Sequence, residues 1–215
     1  MFLKYAISDS QKTEFRRNGH ILLRGVADPN EIETFRPAIL NTGLKNSTET
    51  RKLEERSTYA RAFLQVTNLW QKDEVVKEFV FSRKYAQIAA DLLGVEKVRL
   101  YHDQALFKEP GGGHTPWHQD QFYWPLDTTA TITMWMPLVN IEKELGMLTF
   151  ATGSHHQGPI GNIAISDESE TVFDAFIRAK DLEVFSPDAM SAGDATFHLG
   201  WTIHGAGGND TNRMR

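Results

Sequence analysis

Residues 115–124 read TPWHQDQFYW, and this segment is the most informative part of the sequence for both structure and chemistry. Residues i and i+2 of an extended strand point to the same face, so His118 and Asp120 should project together while Gln119 faces away. A second imidazole, His204, follows an apolar run that is typical of a strand. Two imidazoles and one carboxylate can hold a divalent iron on one face and leave its opposite face open. The sequence therefore predicts a metal site built by His118, Asp120 and His204 on a framework of strands.

The H-x-D pattern is weak by itself, because many chains contain it by chance. A structural histidine that bonds a backbone carbonyl explains His118 about equally well. The surroundings favour a metal, since a glycine-rich turn precedes the pattern, aromatic residues crowd it, and Arg213 and Arg215 follow His204. An arginine offers a planar, two-pronged donor for the far carboxylate of a dicarboxylate cosubstrate. The alternative for both arginines is a pair of solvated charges.

The composition excludes several classes of protein. The chain has 215 residues, of which 40% are hydrophobic and 24% charged, so we expect one globular domain with a sizeable core. A net charge of −5 offers no basic surface for nucleic-acid phosphates. No cysteine is present, so a transition metal must be held mainly by nitrogen and oxygen ligands, which fits a reducing compartment. With neither a signal-peptide pattern nor a run of about 18 apolar residues, we expect a cytoplasmic protein without nucleic-acid or membrane partners.

Helical patterns come first along the chain. Ser8 opens a capping box before a predicted helix over residues 9–17. Pro29 precedes a second amphipathic segment, which Pro37 should kink or delay. The polar residues 45–56 are typical of a mobile loop.

A longer apolar pattern over residues 73–93 changes its register partway, which favours two helices rather than one. Ser82 is a candidate N-cap for the second helix, and Gly94 is a candidate stop. A short strand is expected over residues 20–23.

Short β-type runs and turn residues follow Val95. The predicted strands are residues 98–108, 130–139, 147–151, 182–185 and 195–203. Helices followed by strands favour an antiparallel sheet core with helices packed outside it, in an α+β or mostly β fold. His198 shares the parity of His204 and is therefore a candidate to point inward.

These segments together resemble the phytanoyl-CoA dioxygenase family of iron(II)- and 2-oxoglutarate-dependent oxygenases. The matching text is ISDSQKTEFRRNGHILLRGV, LFKEPGGGHTPWHQDQFYWPL, TITMWMPLVNIEKELGMLTFATGSHHQG and SAGDATFHLGWTIHGAGGNDTNRMR. The resemblance implies a mostly β (α+β) fold with a double-stranded β-helix core, also called a jelly-roll or cupin-like core, and with N-terminal helices packed outside. It implies a single dioxygenase domain over residues 1–215, helical to about residue 95 and jelly-roll from about residue 96.

The same resemblance assigns roles to particular residues. The catalytic iron ligands carry over to His118, Asp120 and His204. The family's 2-oxoglutarate arginine lies eleven residues after the distal histidine and falls on Arg215, with Arg213 as the fallback. Trp135 and Gln104 are the implied further contacts of the cosubstrate, although core packing and a solvated strand face explain these two residues as well. The cofactors implied are Fe(II), 2-oxoglutarate and O2.

The implied reaction hydroxylates an unactivated carbon of a small organic metabolite and releases succinate and CO2. Halogenating members of the wider group have a small residue where this chain has Asp120, so hydroxylation is favoured over chlorination. Phe122, Tyr123 and Trp124 are candidates to line a substrate pocket, although such aromatics more often belong to the core. The acidic net charge does not favour binding of the negatively charged phosphates of an acyl-CoA. Relatives continue into another apolar strand beyond the position of Arg215, so either the full protein is longer or its core closes differently.

Two other functions stay open on this sequence. One is a non-catalytic jelly-roll binding protein that keeps the triad as a structural metal site. The other is a zinc-dependent hydrolase, since His, Asp and His also suit zinc. The second gives no role to Arg215 and lacks an obvious general-base glutamate near the triad.

Overall fold

Six α-helices and eleven short strands make up residues 4–215, the part of the chain that the computed structural model describes; residues 1–3 of the predicted domain lie outside it. The helices are α1 (Asp9–Asn18), α2 (Pro29–Asn46), α3 (Thr58–Ala62), α4 (Glu74–Val80), α5 (Arg83–Leu93) and α6 (Asp167–Ala179). The strands are β1 (His20–Leu23), β2 (Leu64–Thr67), β3 (Gln104–Phe107), β4 (Thr115–His118), β5 (Ile132–Trp135), β6 (Ile141–Glu142), β7 (Leu148–Ala151), β8 (Val184–Phe185), β9 (Ala189–Met190), β10 (Ala195–Leu199) and β11 (His204–Ala206). None of the helices in this range is long and apolar enough to cross a membrane.

Helix α1 begins where the sequence predicts and extends one residue further. The Ser8 hydroxyl accepts a hydrogen bond from the Gln11 backbone N–H, and the Gln11 side chain accepts one from the Ser8 backbone N–H, which completes the capping box. The helix ends because Gly19 adopts the left-handed conformation, with φ 77°, that glycine tolerates best. Strand β1 then starts at His20, as predicted.

Pro37 lies inside helix α2 without delaying it, so that part of the prediction is wrong. Asp28 caps the start of the helix with its side chain, and Ile39 lies in the main hydrophobic core. These contacts offset the hydrogen bond that the proline ring removes. The helix continues to Asn46, so the loop predicted over residues 45–56 begins later, and it contains a short 3-10 turn.

Residues 73–93 form two helices, α4 and α5, as the shift in apolar register predicts. Ser82 occupies the N-cap position of α5, although its side chain makes no capping hydrogen bond. Gly94 ends α5 in the left-handed conformation, with φ 71°. Apolar side chains from both helices enter the main core, which also receives β1 and β10.

All of the strand pairings are antiparallel, and they form four separate sheets. The three-stranded sheet has the order β1-β10-β5, and the four-stranded sheet has the order β4-β11-β7-β8. Two further pairs are β2-β3 and β6-β9. Across residues 4–215 these pairings do not close into a barrel. A fold of helices with antiparallel sheets is therefore confirmed.

Each predicted strand is present in a shorter form, as β3, β5, β7, β8 and β10. Five strands lie outside the predicted strand ranges: β2, β4, β6, β9 and β11. The extended segment expected at His118 anticipates only the end of β4, because Pro116 and Gly205 are poor strand formers inside the very short strands β4 and β11. Helix α6 is also not predicted. Its start is capped by the Ser166 side chain, and its buried face carries Phe173 and Ile177 four residues apart.

The two larger sheets face each other and enclose a group of buried histidines. Cross-strand partners form one row of His20, His198 and Thr133, and a second row of His118, His204 and Phe150. The rows touch, since the rings of His198 and His204 have centroids 4.2 Å apart. The space between the sheets therefore holds most of the chemically reactive side chains predicted from the sequence.

The buried His20 makes the fold sensitive to acid. Its ring stacks between Phe150 and Phe185, and burial, helped by His198 and His155, lowers its pKa from 6.5 to about 4. Because the pKa in the folded state lies below the ordinary value, the unfolded chain binds the proton more readily. The stabilisation is present above pH 6.5 and is lost as the pH falls toward 4. The loss amounts to about 3 kcal/mol.

We expect the variant His20→Phe to keep the aromatic stack but to lose this sensitivity. Its free energy of unfolding, measured with urea between pH 4 and pH 7, should fall by about 3 kcal/mol less than that of the unmodified protein. The exposed His114 supplies a control, because His114→Phe should leave the acid sensitivity unchanged. An undiminished acid loss in His20→Phe would show that other groups cause it.

Candidate metal centre

The three predicted ligands meet between the facing sheets. His118 is the last residue of β4, His204 is the first residue of β11, and the two are direct cross-strand partners. Asp120 is not on the strand, because a 3-10 turn begins at this residue. The predicted strand alternation is therefore wrong in detail, but the turn directs the carboxylate to the same place. Gln119 faces away as expected, and its amide donates to two backbone carbonyls.

Backbone carbonyls fix the orientation of both imidazoles. Nδ1 of His118 lies 2.8 Å from the carbonyl oxygen of Pro116, and Nδ1 of His204 lies 3.0 Å from that of Thr202. A carbonyl oxygen only accepts, so each Nδ1 carries the proton and donates. Each Nε2 is left with a free lone pair, which is the form of histidine that a metal binds through this atom.

The geometry of the three groups fits a cation. Oδ1 of Asp120 lies 3.6 Å from Nε2 of His118 and 3.6 Å from Nε2 of His204. These separations are too long for good hydrogen bonds, and ligand atoms of all three residues lie within 4.8 Å of one another. Two imidazole nitrogens and one carboxylate oxygen around a common gap suit iron(II). The residues present therefore fit the metal that the sequence predicts.

Two further residues hold the other carboxylate oxygen of Asp120. Thr133 donates from Oγ1 to Oδ2 over 2.8 Å, and Nε2 of His198 lies 3.1 Å from the same oxygen. Because they occupy Oδ2, Oδ1 is the oxygen left to face the imidazoles. His198 points inward as its parity suggests. The sequence does not predict the role of Thr133, although it shares the parity of Trp135 in β5.

The electrostatics of the site favour the protonation states that bind metals. Burial, with smaller effects of His118 and His198, holds the pKa of His204 well below its ordinary value. Burial opposes the ionisation of Asp120, yet the surrounding imidazoles, His204 first, hold the pKa of its carboxyl well below the ordinary value. At neutral pH the site therefore combines a neutral His204 with an ionised Asp120, and no proton has to leave either group before a metal binds.

Two of the predicted cosubstrate residues, Arg215 and Trp135, lie together. The guanidinium carbon of Arg215 is 5.1 Å from the centroid of the Trp135 ring, and its Nη1 donates to the carbonyl oxygen of Gly146. Burial lowers the pKa of Arg215 to about 10, so the guanidinium stays charged at neutral pH. Trp135 packs against the buried cluster of Leu148, Phe150 and Ala206, in which the ring of Phe150 lies 6.2 Å from that of His204. This cluster therefore connects the pair to the candidate metal ligands.

Lys108 is a buried amine beside this arginine that the sequence does not single out. Two backbone hydrogen bonds, 2.9 and 3.0 Å long, join Lys108 to Arg215. The lysine side chain is fully buried and donates from Nζ to the carbonyl oxygen of Gly113 over 2.5 Å. Burial and the charge of Arg215 lower its pKa to about 7. The backbone pairing fixes where the Arg215 side chain starts, whereas Arg213 is exposed.

Gln104, the third predicted cosubstrate residue, has different partners. Its exposed side chain bonds to Gln65 and His102 rather than to Arg215 or Trp135. A contact between Gln104 and the cosubstrate stays a prediction.

A cleft of about 490 Å³ follows the turn that carries Asp120. Phe122 and Trp124 line it together with Ile160 and Trp201. Two of the three aromatics proposed for a pocket therefore do line a cavity. Tyr123, the third, does not line it, and its side chain is largely exposed.

Sequence comparison shows which proteins the chain is similar to. The model of the family described as Phytanoyl-CoA dioxygenase matches residues 15–215. A phytanoyl-CoA dioxygenase of Arabidopsis thaliana is 27% identical over 148 residues, which cover 68% of this chain and 52% of the relative. A probable phytanoyl-CoA dioxygenase of Caenorhabditis elegans is 24% identical over 228 residues, which cover 97% of this chain and 73% of the relative. The chain thus spans about half the length of the Arabidopsis relative.

Solved structures share the fold over almost the whole chain. The non-heme alpha ketoglutarate dependent carbocyclase SnoK from nogalamycin biosynthesis has a TM-score of 0.82 and 24% identity, covering 97% of this chain and 81% of its own. The epimerase SnoN, in complex with Fe3+, alpha ketoglutarate and nogalamycin RO, has a TM-score of 0.77 and 25% identity. The match covers 95% of this chain and 78% of SnoN. EctD from S. alaskensis, with 2-oxoglutarate and 5-hydroxyectoine, has a TM-score of 0.75 and 19% identity. The match covers 97% of this chain and 73% of EctD.

Proposed function

Because the chain belongs to the phytanoyl-CoA dioxygenase family, we propose that it is an iron(II)- and 2-oxoglutarate-dependent oxygenase. It hydroxylates an unactivated carbon of a small organic metabolite and releases succinate and CO2. The observation that carries this proposal is the convergence of His118, Asp120 and His204 on one gap. Solved relatives that contain iron or 2-oxoglutarate support the same cofactors.

The protein holds the metal through Nε2 of His118, Nε2 of His204 and Oδ1 of Asp120. When iron and 2-oxoglutarate are bound, they supply the activation of O2 that an unreactive C–H bond requires. Three protein ligands on one side would leave the opposite side of a bound metal free for both the cosubstrate and O2. Asp120 fills the position that must be small for a halide to bind, which favours hydroxylation.

Arg215 binds the far carboxylate of 2-oxoglutarate in this proposal. A charged guanidinium pairs with a carboxylate through two parallel hydrogen bonds and therefore sets its direction as well as its affinity. Trp135 supplies the apolar wall against which the cosubstrate lies. The carbonyl oxygen of Gly146 holds the guanidinium before the cosubstrate arrives, which reduces the entropy lost on binding.

We also propose that residues 1–215 form one domain with a jelly-roll core. The support is the pair of facing antiparallel sheets and the likeness in fold to SnoK. The helical part to about residue 95 contributes β1 to this core, so the two parts share one sheet.

The activity is tested by incubating the protein with iron(II), 2-oxoglutarate, O2 and a library of small organic metabolites. We expect release of succinate that depends on iron and increases when the mixture contains a substrate of the enzyme. Zinc in place of iron should give none, because zinc has no redox chemistry. Bound iron with no succinate from any mixture would contradict the proposal.

The variant Thr133→Val should weaken metal binding, because it removes one of the two groups that hold Oδ2 of Asp120. Such supporting contacts are worth about 10- to 100-fold in metal affinity. Anaerobic titration calorimetry with iron(II) measures the effect. The matched control is Thr196→Val, since the Thr196 hydroxyl is buried and makes no hydrogen bond to the rest of residues 4–215. Equal losses in the two variants would point to packing rather than to orientation of Asp120.

A further inference from the structure

The antiparallel ribbon of β2 and β3 has two chemically different faces. One face is buried in the main core through Val66, Ala105 and Phe107. The opposite face carries Gln65 and Gln104, and both are exposed. Alternation along a strand explains the division. It leaves two amides side by side on an open surface.

Four side chains on this open face form one hydrogen-bonded strip. The hydroxyl of Tyr59 donates to Oε1 of Gln65 over 2.9 Å. The amide nitrogen of Gln65 donates to Gln104, and the amide nitrogen of Gln104 donates to Nε2 of His102 over 2.6 Å. Each amide nitrogen carries two hydrogens and uses one of them in the strip. The strip therefore keeps free donors and carbonyl lone pairs on its exposed side.

The strip lies beside the candidate metal centre. Helix α3, which carries Tyr59, packs against β4, the strand that ends in His118. The ring of His102 lies 6.1 Å from that of Trp124, four residues after Asp120. The negative charge of Asp120 contributes to the raised pKa of Tyr59, though less than burial does, and it opposes the lowering of the pKa of His102 by burial.

The four side chains of the strip are uncharged at neutral pH. Burial raises the pKa of Tyr59 to about 12 and lowers that of His102, so the phenol keeps its proton and the imidazole stays neutral. The ring of Tyr101 lies 5.7 Å from that of Trp124 and adds a second exposed aromatic surface. The four side chains of the strip themselves offer no positive charge to a phosphate-bearing ligand, whereas a ring with hydroxyl or carbonyl groups would find aromatic faces and amides.

We propose that the strip formed by Tyr59, Gln65, Gln104 and His102, together with Trp124, binds the substrate, and that the substrate is an uncharged ring compound rich in oxygen. This inference rests on the proposed function, because the strip selects a substrate only if the adjacent metal centre is catalytic. It assigns Gln104 to the substrate rather than to 2-oxoglutarate.

The test uses the full chain, loaded anaerobically with iron(II) and 2-oxoglutarate, and three probes. Naringenin and 4-nitrophenyl β-D-glucoside are uncharged ring compounds, and palmitoyl-CoA is an anionic acyl-CoA. Titration calorimetry should give binding of at least one uncharged probe, tighter than that of palmitoyl-CoA. The variants Gln65→Leu and Gln104→Leu should each weaken that binding by about tenfold and leave the Kd for 2-oxoglutarate unchanged. The control Gln71→Leu changes an exposed glutamine outside the strip and should alter neither value.

Three results would overturn the inference: tighter binding of palmitoyl-CoA, no binding of either uncharged probe, or unchanged probe binding by Gln104→Leu. A raised Kd for 2-oxoglutarate in Gln104→Leu would return this residue to the cosubstrate. Failure of the unmodified protein to bind 2-oxoglutarate at all would contradict the proposed function instead. Binding of 2-oxoglutarate by the unmodified protein is therefore measured first. The melting temperatures of all variants show whether they fold.

Discussion

Asp120→Ala is expected to abolish turnover and to lower the affinity for iron(II) by more than about 100-fold, beyond the range of losses seen for residues that only support a ligand. The reason is that Asp120 supplies the only charge among the three groups that face the gap, and its Oδ1 lies 3.6 Å from both Nε2 atoms. The metal-free variant should stay folded, because the only cost of the change to stability is that two donors, on Thr133 and His198, lose their acceptor. That costs about 1–3 kcal/mol. Anaerobic calorimetry measures the affinity, and urea unfolding measures the stability.

The same measurements separate a catalytic site from a structural one. A structural metal contributes folding free energy directly, so removing it with a chelator should unfold the unmodified protein. A catalytic site predicts that the chelated protein keeps its fold and loses only its activity. The exposed Asp127 gives the matched control, because Asp127→Ala should retain iron affinity and turnover. Unfolding on chelation would favour the non-catalytic binding protein.

The second large effect is expected from Arg215→Leu, which keeps apolar contact with Trp135 but removes the guanidinium. Losing one partner of a buried, hydrogen-bonded charge pair costs about 2–5 kcal/mol. The KM for 2-oxoglutarate should therefore rise by at least about 30-fold, while the affinity for iron stays unchanged. Steady-state kinetics at saturating iron, with succinate as the measured product, test this.

Arg213→Leu is the control that chooses between the two candidate arginines. Arg213 is exposed, whereas Arg215 lies against Trp135 and its backbone is paired with Lys108. We expect the KM of the Arg213 variant to stay within about twofold of the original, as for most surface changes. A larger effect from Arg213 than from Arg215 would transfer the cosubstrate role to Arg213.

Much of the fold follows from local signals in the sequence. The capping box at Ser8, the change in register before Ser82 and the stop at Gly94 all depend on residues close in sequence. The continuity of helix α2 does not follow from local signals, because tertiary burial of its apolar face overrides the local penalty of Pro37. Strands β4 and β11 could not be predicted either, since pairing partners distant in the chain stabilise them.

The candidate site likewise combines residues that the sequence predicts with contacts that depend on the tertiary structure. Residue types, their neighbouring sequence and the family resemblance together select His118, Asp120 and His204, and the structure brings the three together. The contact between Thr133 and Oδ2 of Asp120 depends on the register between β5 and β10, which no local pattern specifies. The pairing of Lys108 with Arg215 is equally non-local, because it joins residues from two distant segments.

The proposed site for iron and 2-oxoglutarate is tested most directly by an anaerobic titration of the protein with both components, followed by visible absorption spectroscopy. Chelation of iron by the keto acid produces a charge-transfer band that neither component gives alone. We predict that this band appears at one equivalent of iron and is absent from Asp120→Ala. Iron bound to the unmodified protein without the band, at saturating 2-oxoglutarate, would contradict the claim that this site is built for that cosubstrate.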